Sequence, residues 1–181
     1  MNTKRLQIGV MGSAADQHYP PELEALAAEI GEHIAAAGHI LVYGANRDTD
    51  TLPNVAARAA KAAGGLCVGV TYGRDRRVIY GTESADVVLA TGSERGGGRE
   101  FVLVHSCDVV IMIGGGAGTL TEVAIAYQMN TPIVDLRGTG GWADKLAGDY
   151  MDVRRREKII PAKTPQEAVQ LAIEAGETHF T

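Results

Sequence analysis

The sequence predicts an α/β domain: a doubly wound parallel sheet with helices on both faces. Three observations carry that prediction. Short apolar runs alternate along the chain with longer segments whose apolar residues recur at helical spacing. One run, Val109–Ile113, is apolar at every position, as a strand covered on both faces requires. It passes directly into Gly114-Gly-Gly-Ala-Gly-Thr119 and then into a helix, the strand–glycine–helix order of a phosphate-binding turn.

The elements follow in order. Residues 6–11 read as the first strand, ending at Gly12-Ser13. A loop with His18 and Pro20-Pro21 leads to a helix over residues 23–37, which Gly38 stops. Residues 40–43 read as the second strand, ending at Gly44, and residues 46–50 as polar loop. A helix over 53–63 stops at Gly64-Gly65, and the third strand takes 66–71. A polar loop over 73–84 carries Arg74, Arg76 and Arg77 before a short fourth strand at 87–90. Residues 96–106 read as helix, 109–113 as the fifth strand, and 120–129 as a helix capped by Thr119. The sixth strand takes 132–136, a flexible loop 138–141 and a short helix 142–146. A last strand at 158–161 and a last helix at 165–175 close a single domain over residues 1–181. Right-handed crossovers then favour a Rossmann-like strand order.

Composition bounds the function. At 181 residues and 45% apolar content the chain builds one proper core. Aromatic residues are scarce while Ala and Gly abound, which suits close helix–sheet packing. A net charge of −5 argues against a general nucleic-acid binder. The apolar runs are too short to cross a membrane, and the N-terminus reads directly into a strand without a signal-peptide pattern. Cys67 and Cys107 read as buried free thiols of a cytoplasmic protein.

Ligands of such sheets bind beyond the carboxyl ends of the strands, near the reversal of strand order. The segments leaving those ends hold most of the glycine and arginine of the chain. Gly12, Ser13, Gly44, Asn46, Arg47, Gly114, Gly115, Gly116, Ala117, Gly118 and Thr119 are therefore the candidate phosphate- and ligand-binding residues. Open amides and the helix dipole form an anion site there. Glu122 lies about one turn further along, and a carboxylate beside a phosphate implies a chemical task. Other chemistries lack their patterns. There is no dinucleotide fingerprint after the first strand and no Gly-Lys-Ser or Gly-Lys-Thr phosphate loop. No lysine sits in a glycine-rich loop, and neither a Ser–His–Asp triad nor a metal-ligand cluster can be read from the spacing.

The segment from Arg99 through Gly114-Gly-Gly-Ala-Gly-Thr-Leu-Thr-Glu122 resembles the Lonely Guy (LOG) family and its wider "lysine decarboxylase-like" circle. That pattern is an Arg on a helix, a strand, then Pro-Gly-Gly-x-Gly-Thr-x-x-Glu. The resemblance implies hydrolysis of the N-glycosidic bond of a nucleoside 5′-monophosphate, with no cofactor required. It implies that Glu122 and Arg99 are the catalytic pair and that the glycine loop holds the 5′-phosphate. It also implies a homodimer built on the helices at 97–106 and 120–129. The chain departs from the pattern at three places. Gly114 replaces the Pro, and Glu100 replaces the Lys that often follows the Arg. The second glycine motif, Gly-Gly-x-x-x-Gly-Leu-Met, is missing from the region Gly44-Ala-Asn-Arg-Asp-Thr-Asp-Thr-Leu-Pro53. A side branch of short relatives, which includes molybdenum-cofactor carrier proteins, also begins its loop Gly-Gly-Gly. That likeness implies the alternative: a non-catalytic carrier or sensor holding a pterin phosphate such as molybdenum cofactor, with Arg74, Arg76, Arg77 and Arg95 around the anion.

Overall fold

The apolar runs form one seven-stranded sheet in the computed structural model of the protein, which describes residues 5–46, 48–74, 84–94 and 98–179. The strands are β1 (Gln7–Gly12), β2 (Ile40–Gly44), β3 (Leu66–Thr71), β4 (Val87–Ala90), β5 (Val109–Ile113), β6 (Ile133–Leu136) and β7 (Ile160–Ala162). They lie in the order β4-β3-β2-β1-β5-β6-β7, and every neighbouring pair is parallel. The chain steps outward from β1 to β4, then returns to the other side of β1 as β5. Strand order therefore reverses between β1 and β5, where a ligand crevice opens in such sheets.

Among the described residues the α-helices are α1 (Glu22–Ala36), α2 (Leu52–Ala62), α3 (Arg99–His105), α4 (Ala117–Met129), α5 (Gly141–Leu146) and α6 (Pro165–His179). Side chains along a strand alternate between the faces, and each face has its own core. Ile8, Leu41 and Ile111 pack with Ile30 and Ile34 of α1, Ala56 and Ala60 of α2, and Val169 of α6. On the other face, Met11, Val42, Val110 and Met112 pack with Leu103 and Val104 of α3 and with Val123 and Tyr127 of α4. Small residues set the helix spacing. A Cβ on Gly31 would overlap the Ala56 carbonyl oxygen, so α1 and α2 meet backbone to backbone at that point.

The predicted order of elements is present, with shifted ends. The last strand sits at Ile160–Ala162, and α6 runs on to His179. The consequential difference is at α4. It starts at Ala117, so Thr119 is not its cap; Gly116, with extended backbone, holds that position. Both cysteines are buried free thiols, and burial pushes Cys67 up to about 11 and Cys107 higher still. Among the described residues no helix is long and apolar enough to cross a membrane.

Candidate functional site

The site is assembled where β1 and β5 end side by side. Gly114 (φ +63°) and Gly115 (φ +105°) turn the chain out of β5 in the left-handed region that side chains disfavour. Their amides are committed to the protein. Gly114 N–H donates to Thr139 Oγ1 and Gly115 N–H to Ser13 Oγ, both at 2.8 Å. Their carbonyls accept from Ala143 N–H at 2.9 Å and Trp142 N–H at 3.1 Å. The loop is thus clamped between the end of β1 and the start of α5.

Gly116 then opens α4 without a side-chain cap. The first bond within the helix is Leu120 N–H to Gly116 O at 3.0 Å, so the amides of Ala117, Gly118 and Thr119 have no acceptor inside it. These three residues wall a cleft of about 380 Å³. Thr119 Oγ1 donates instead to the Gly12 carbonyl at 3.1 Å, stitching α4 to the end of β1. The Gln17 side chain lies against Gly116, where any Cβ would overlap its Nε2.

Deeper in the cleft, α3 and α4 bring Arg99 and Glu122 together. They are only 6% and 7% exposed, and Arg99 Nη1 donates to Glu122 Oε1 at 3.2 Å. Arg99 Nη2 donates to Tyr72 Oη at 2.7 Å, and Tyr72 in turn donates to Asn46 Oδ1 at 3.0 Å. The guanidinium also packs 4.6 Å from the centre of the Tyr72 ring. Gly44 makes this possible, because a Cβ there would overlap Arg99 Nη1. Burial raises Glu122 to about 7; Arg99 opposes that shift and the Glu100 charge adds to it. A carboxyl poised there can both give and take a proton near neutrality.

The family model described as the SLOG cluster4 family matches residues 5–169. The chain belongs to the SLOG cluster4 family. It is 33% identical to a cytokinin riboside 5′-monophosphate phosphoribohydrolase of Mycobacterium marinum, over 92% of each chain. It is also similar to the structure of the molybdenum cofactor carrier protein from Chlamydomonas reinhardtii, at 28% identity and TM-score 0.78, over 95% of this chain and 98% of that one. The molybdenum cofactor binding protein from Rippkaea orientalis superposes with TM-score 0.77 at 26% identity, over 99% of this chain and 100% of that one.

In this SLOG cluster4 chain the sequence-predicted residues divide into four groups. Ala117, Gly118, Thr119, Gly12, Gly44, Asn46, Arg99 and Glu122 line the cleft together. Ser13, Gly114, Gly115 and Gly116 shape and brace the loop behind the cleft wall. Arg74 lies in a separate recess beside the end of β4. Arg47, Arg76, Arg77 and Arg95 lie outside the described residues. Where the second glycine motif is missing, the replacement segment is tied down. Leu52 N–H donates to Ser13 O, Ala15 N–H donates to Asp50 O, and Arg58 holds Asp50 with two hydrogen bonds. Thr51 caps α2 through Asn54 N–H at 3.1 Å. Sequence reasoning overlooked Tyr72 and gave Glu100 no role at the site, yet both line the cleft. Their signals were their positions, one just past the end of β3 and the other next to Arg99. Among the described residues the cleft wall carries Asp16, Glu100 and Glu122 against Arg99 as its cation.

Proposed function

We propose that this chain hydrolyses the N-glycosidic bond of a nucleoside 5′-monophosphate, giving free base and ribose 5-phosphate. The observation that carries this reading is the buried Arg99–Glu122 pair one helical turn beyond the open amides of α4. A phosphate on those amides gains from the helix dipole. A rise of about 1.5 Å per residue then sets Glu122 roughly 5 Å deeper, alongside a ribose. As the C1′–N bond lengthens, positive charge grows on the sugar, and a carboxylate facing it stabilises that charge and activates the attacking water. Arg99 orients Glu122 through Nη1 and is itself fixed by Tyr72. Similarity to the Mycobacterium marinum enzyme supports the same chemistry. The hydrolysis needs no cofactor.

The test is a comparison of nucleoside 5′-monophosphates with the matching nucleosides, scoring free base by chromatography. Release from the monophosphates alone is expected. Equal release from nucleosides would remove the 5′-phosphate, and with it the role of the α4 amides.

A second reading is favoured by the segment after β2, which lacks the second glycine motif, and by the likeness to the molybdenum cofactor carrier protein. In that reading the same cradle holds the phosphate of a pterin cofactor as cargo. Tight stoichiometric binding of molybdenum cofactor without base release would select it.

We infer a cytoplasmic homodimer. Phe101 (57% exposed) and Val102 (42% exposed) give α3 an outward apolar face beside the catalytic pair, suited to a second copy. Sedimentation at micromolar concentration measures this, and a monomer there would contradict it.

A further inference from the structure

Glu100 is a buried carboxylate of the cleft to which the proposed reaction gives no task. It is 8% exposed and lines the cleft beside Arg99. Its Oε1 lies 3.6 Å from Arg99 Nε, beyond hydrogen-bond reach. Arg99 Nε is buried and has no hydrogen-bond partner among the described residues. The guanidinium is therefore bracketed: Glu122 holds Nη1, Tyr72 takes Nη2, and Glu100 faces the Nε edge. Two ionised carboxylates around one guanidinium leave a buried negative charge uncompensated, and such a cluster retains a proton.

We propose that Glu100 is a positioning residue that, by sharing Arg99, keeps a proton on Glu122 in the resting cleft for delivery to the departing base. The inference rests on the nucleotide-hydrolysis reading and deepens it. The C1′–N bond breaks with its electron pair going to the base, whose ring nitrogen takes the Glu122 proton. The resulting Glu122 carboxylate stabilises the ribosyl cation. Water then adds its oxygen to C1′ and returns a proton to Glu122, so one water is consumed and the site is restored.

Other groups around Glu122 fit this assignment. From α3 it faces Arg99 and Glu100; beyond lie Tyr72 after β3, the buried Cys107 thiol, and Asp16 across the cleft. No other Asp, Glu, Lys or Arg lies on α4 itself. Glu122 is raised to about 7, first by burial and further by the Glu100 charge, against the pull of Arg99. Removing the Glu100 charge takes away one of the two causes that raise Glu122 and leaves the opposing pull of Arg99.

The experiment is a pH titration of Glu carboxyl carbons by NMR, with Glu122→Gln used to assign the Glu122 signal. It is run on the wild-type chain, Glu100→Gln and Glu100→Asp. In Glu100→Gln the Glu122 midpoint is expected to fall by about one unit or more, a tenfold loss of the protonated form above it. Base release at pH 7.5 falls about tenfold through kcat, with KM nearly unchanged, and recovers as the pH is lowered. Glu100→Asp retains most of the wild-type midpoint. An unchanged midpoint in a Glu100→Gln protein with wild-type circular dichroism would overturn the proposal. So would an equal fall in Glu100→Asp. A shifted midpoint in a protein that releases base from no nucleotide would uphold the shared proton and reject the hydrolase reading instead.

Discussion

Glu122 sits beside an arginine, yet its carboxyl is raised to about 7, because burial outweighs the attraction of Arg99. The resemblance to the LOG pattern, an arginine before the strand and a glutamate after the glycine loop, singled out both residues, but that Arg99 meets Glu122 is seen only in the structure. The partners that complete the cluster were not legible in the sequence. Tyr72 and Arg99 are 27 residues apart, and only the order β3-β2-β1-β5 brings β3 to the same crevice. Gly44 also acquires its meaning in three dimensions: its missing side chain is the space that Arg99 occupies. Gly44→Ala is therefore expected to push Arg99 off Glu122. The expected cost is about 1–3 kcal/mol of stability from overpacking. Base release is expected to fall by more than that stability loss explains. Urea unfolding and initial rates measure the two, and an unaltered rate would show that the Arg99 position is not critical.

At the scale of elements, the glycine loop is a clamped turn that presents the start of α4. Thr139 Oγ1 accepts from Gly114 N–H at 2.8 Å and donates to Leu136 O at 2.6 Å, so one hydroxyl ties β6 to the loop. Thr139→Val keeps the shape and leaves a buried amide unsatisfied. It is expected to cost about 1–3 kcal/mol in chemical denaturation and to weaken inorganic phosphate binding. A full-strength phosphate site in that variant would mean that the clamp does not shape the cradle. The start of α4 was misread for a physical reason. Threonine is a strong cap by propensity, but a glycine can hold the extended cap position, and Gly116 does so three residues earlier. That shift releases the Thr119 hydroxyl to Gly12 and leaves the amides of three residues that line the cleft without an acceptor inside the helix.

At the scale of the whole molecule, the alternation of apolar runs was enough to read a parallel, doubly wound sheet. The seven-strand order and the position of Asp135 needed the structure. Asp135 lies on β6 between β5 and β7, fully buried, with neither carboxyl oxygen hydrogen-bonded among the described residues. Burial raises it to about 6, with Asp144 adding to the shift and Arg137 opposing it. A folded pKa above the unfolded value means that the native state binds more protons. Stability from this group is thus full below about pH 4 and is lost as pH rises through 6. The span corresponds to about 3 kcal/mol at most. Asp135→Asn is expected to flatten the stability profile between pH 4 and 7, seen in urea midpoints across that range; an unchanged slope would assign it elsewhere. The account as a whole turns on one division of labour, phosphate on the α4 amides and chemistry on Glu122. Its most direct test measures ribose 5-phosphate affinity and single-turnover base release side by side in the wild-type chain and Glu122→Gln. The account predicts an unchanged affinity with release reduced at least about 100-fold. Full release in the mutant would contradict it.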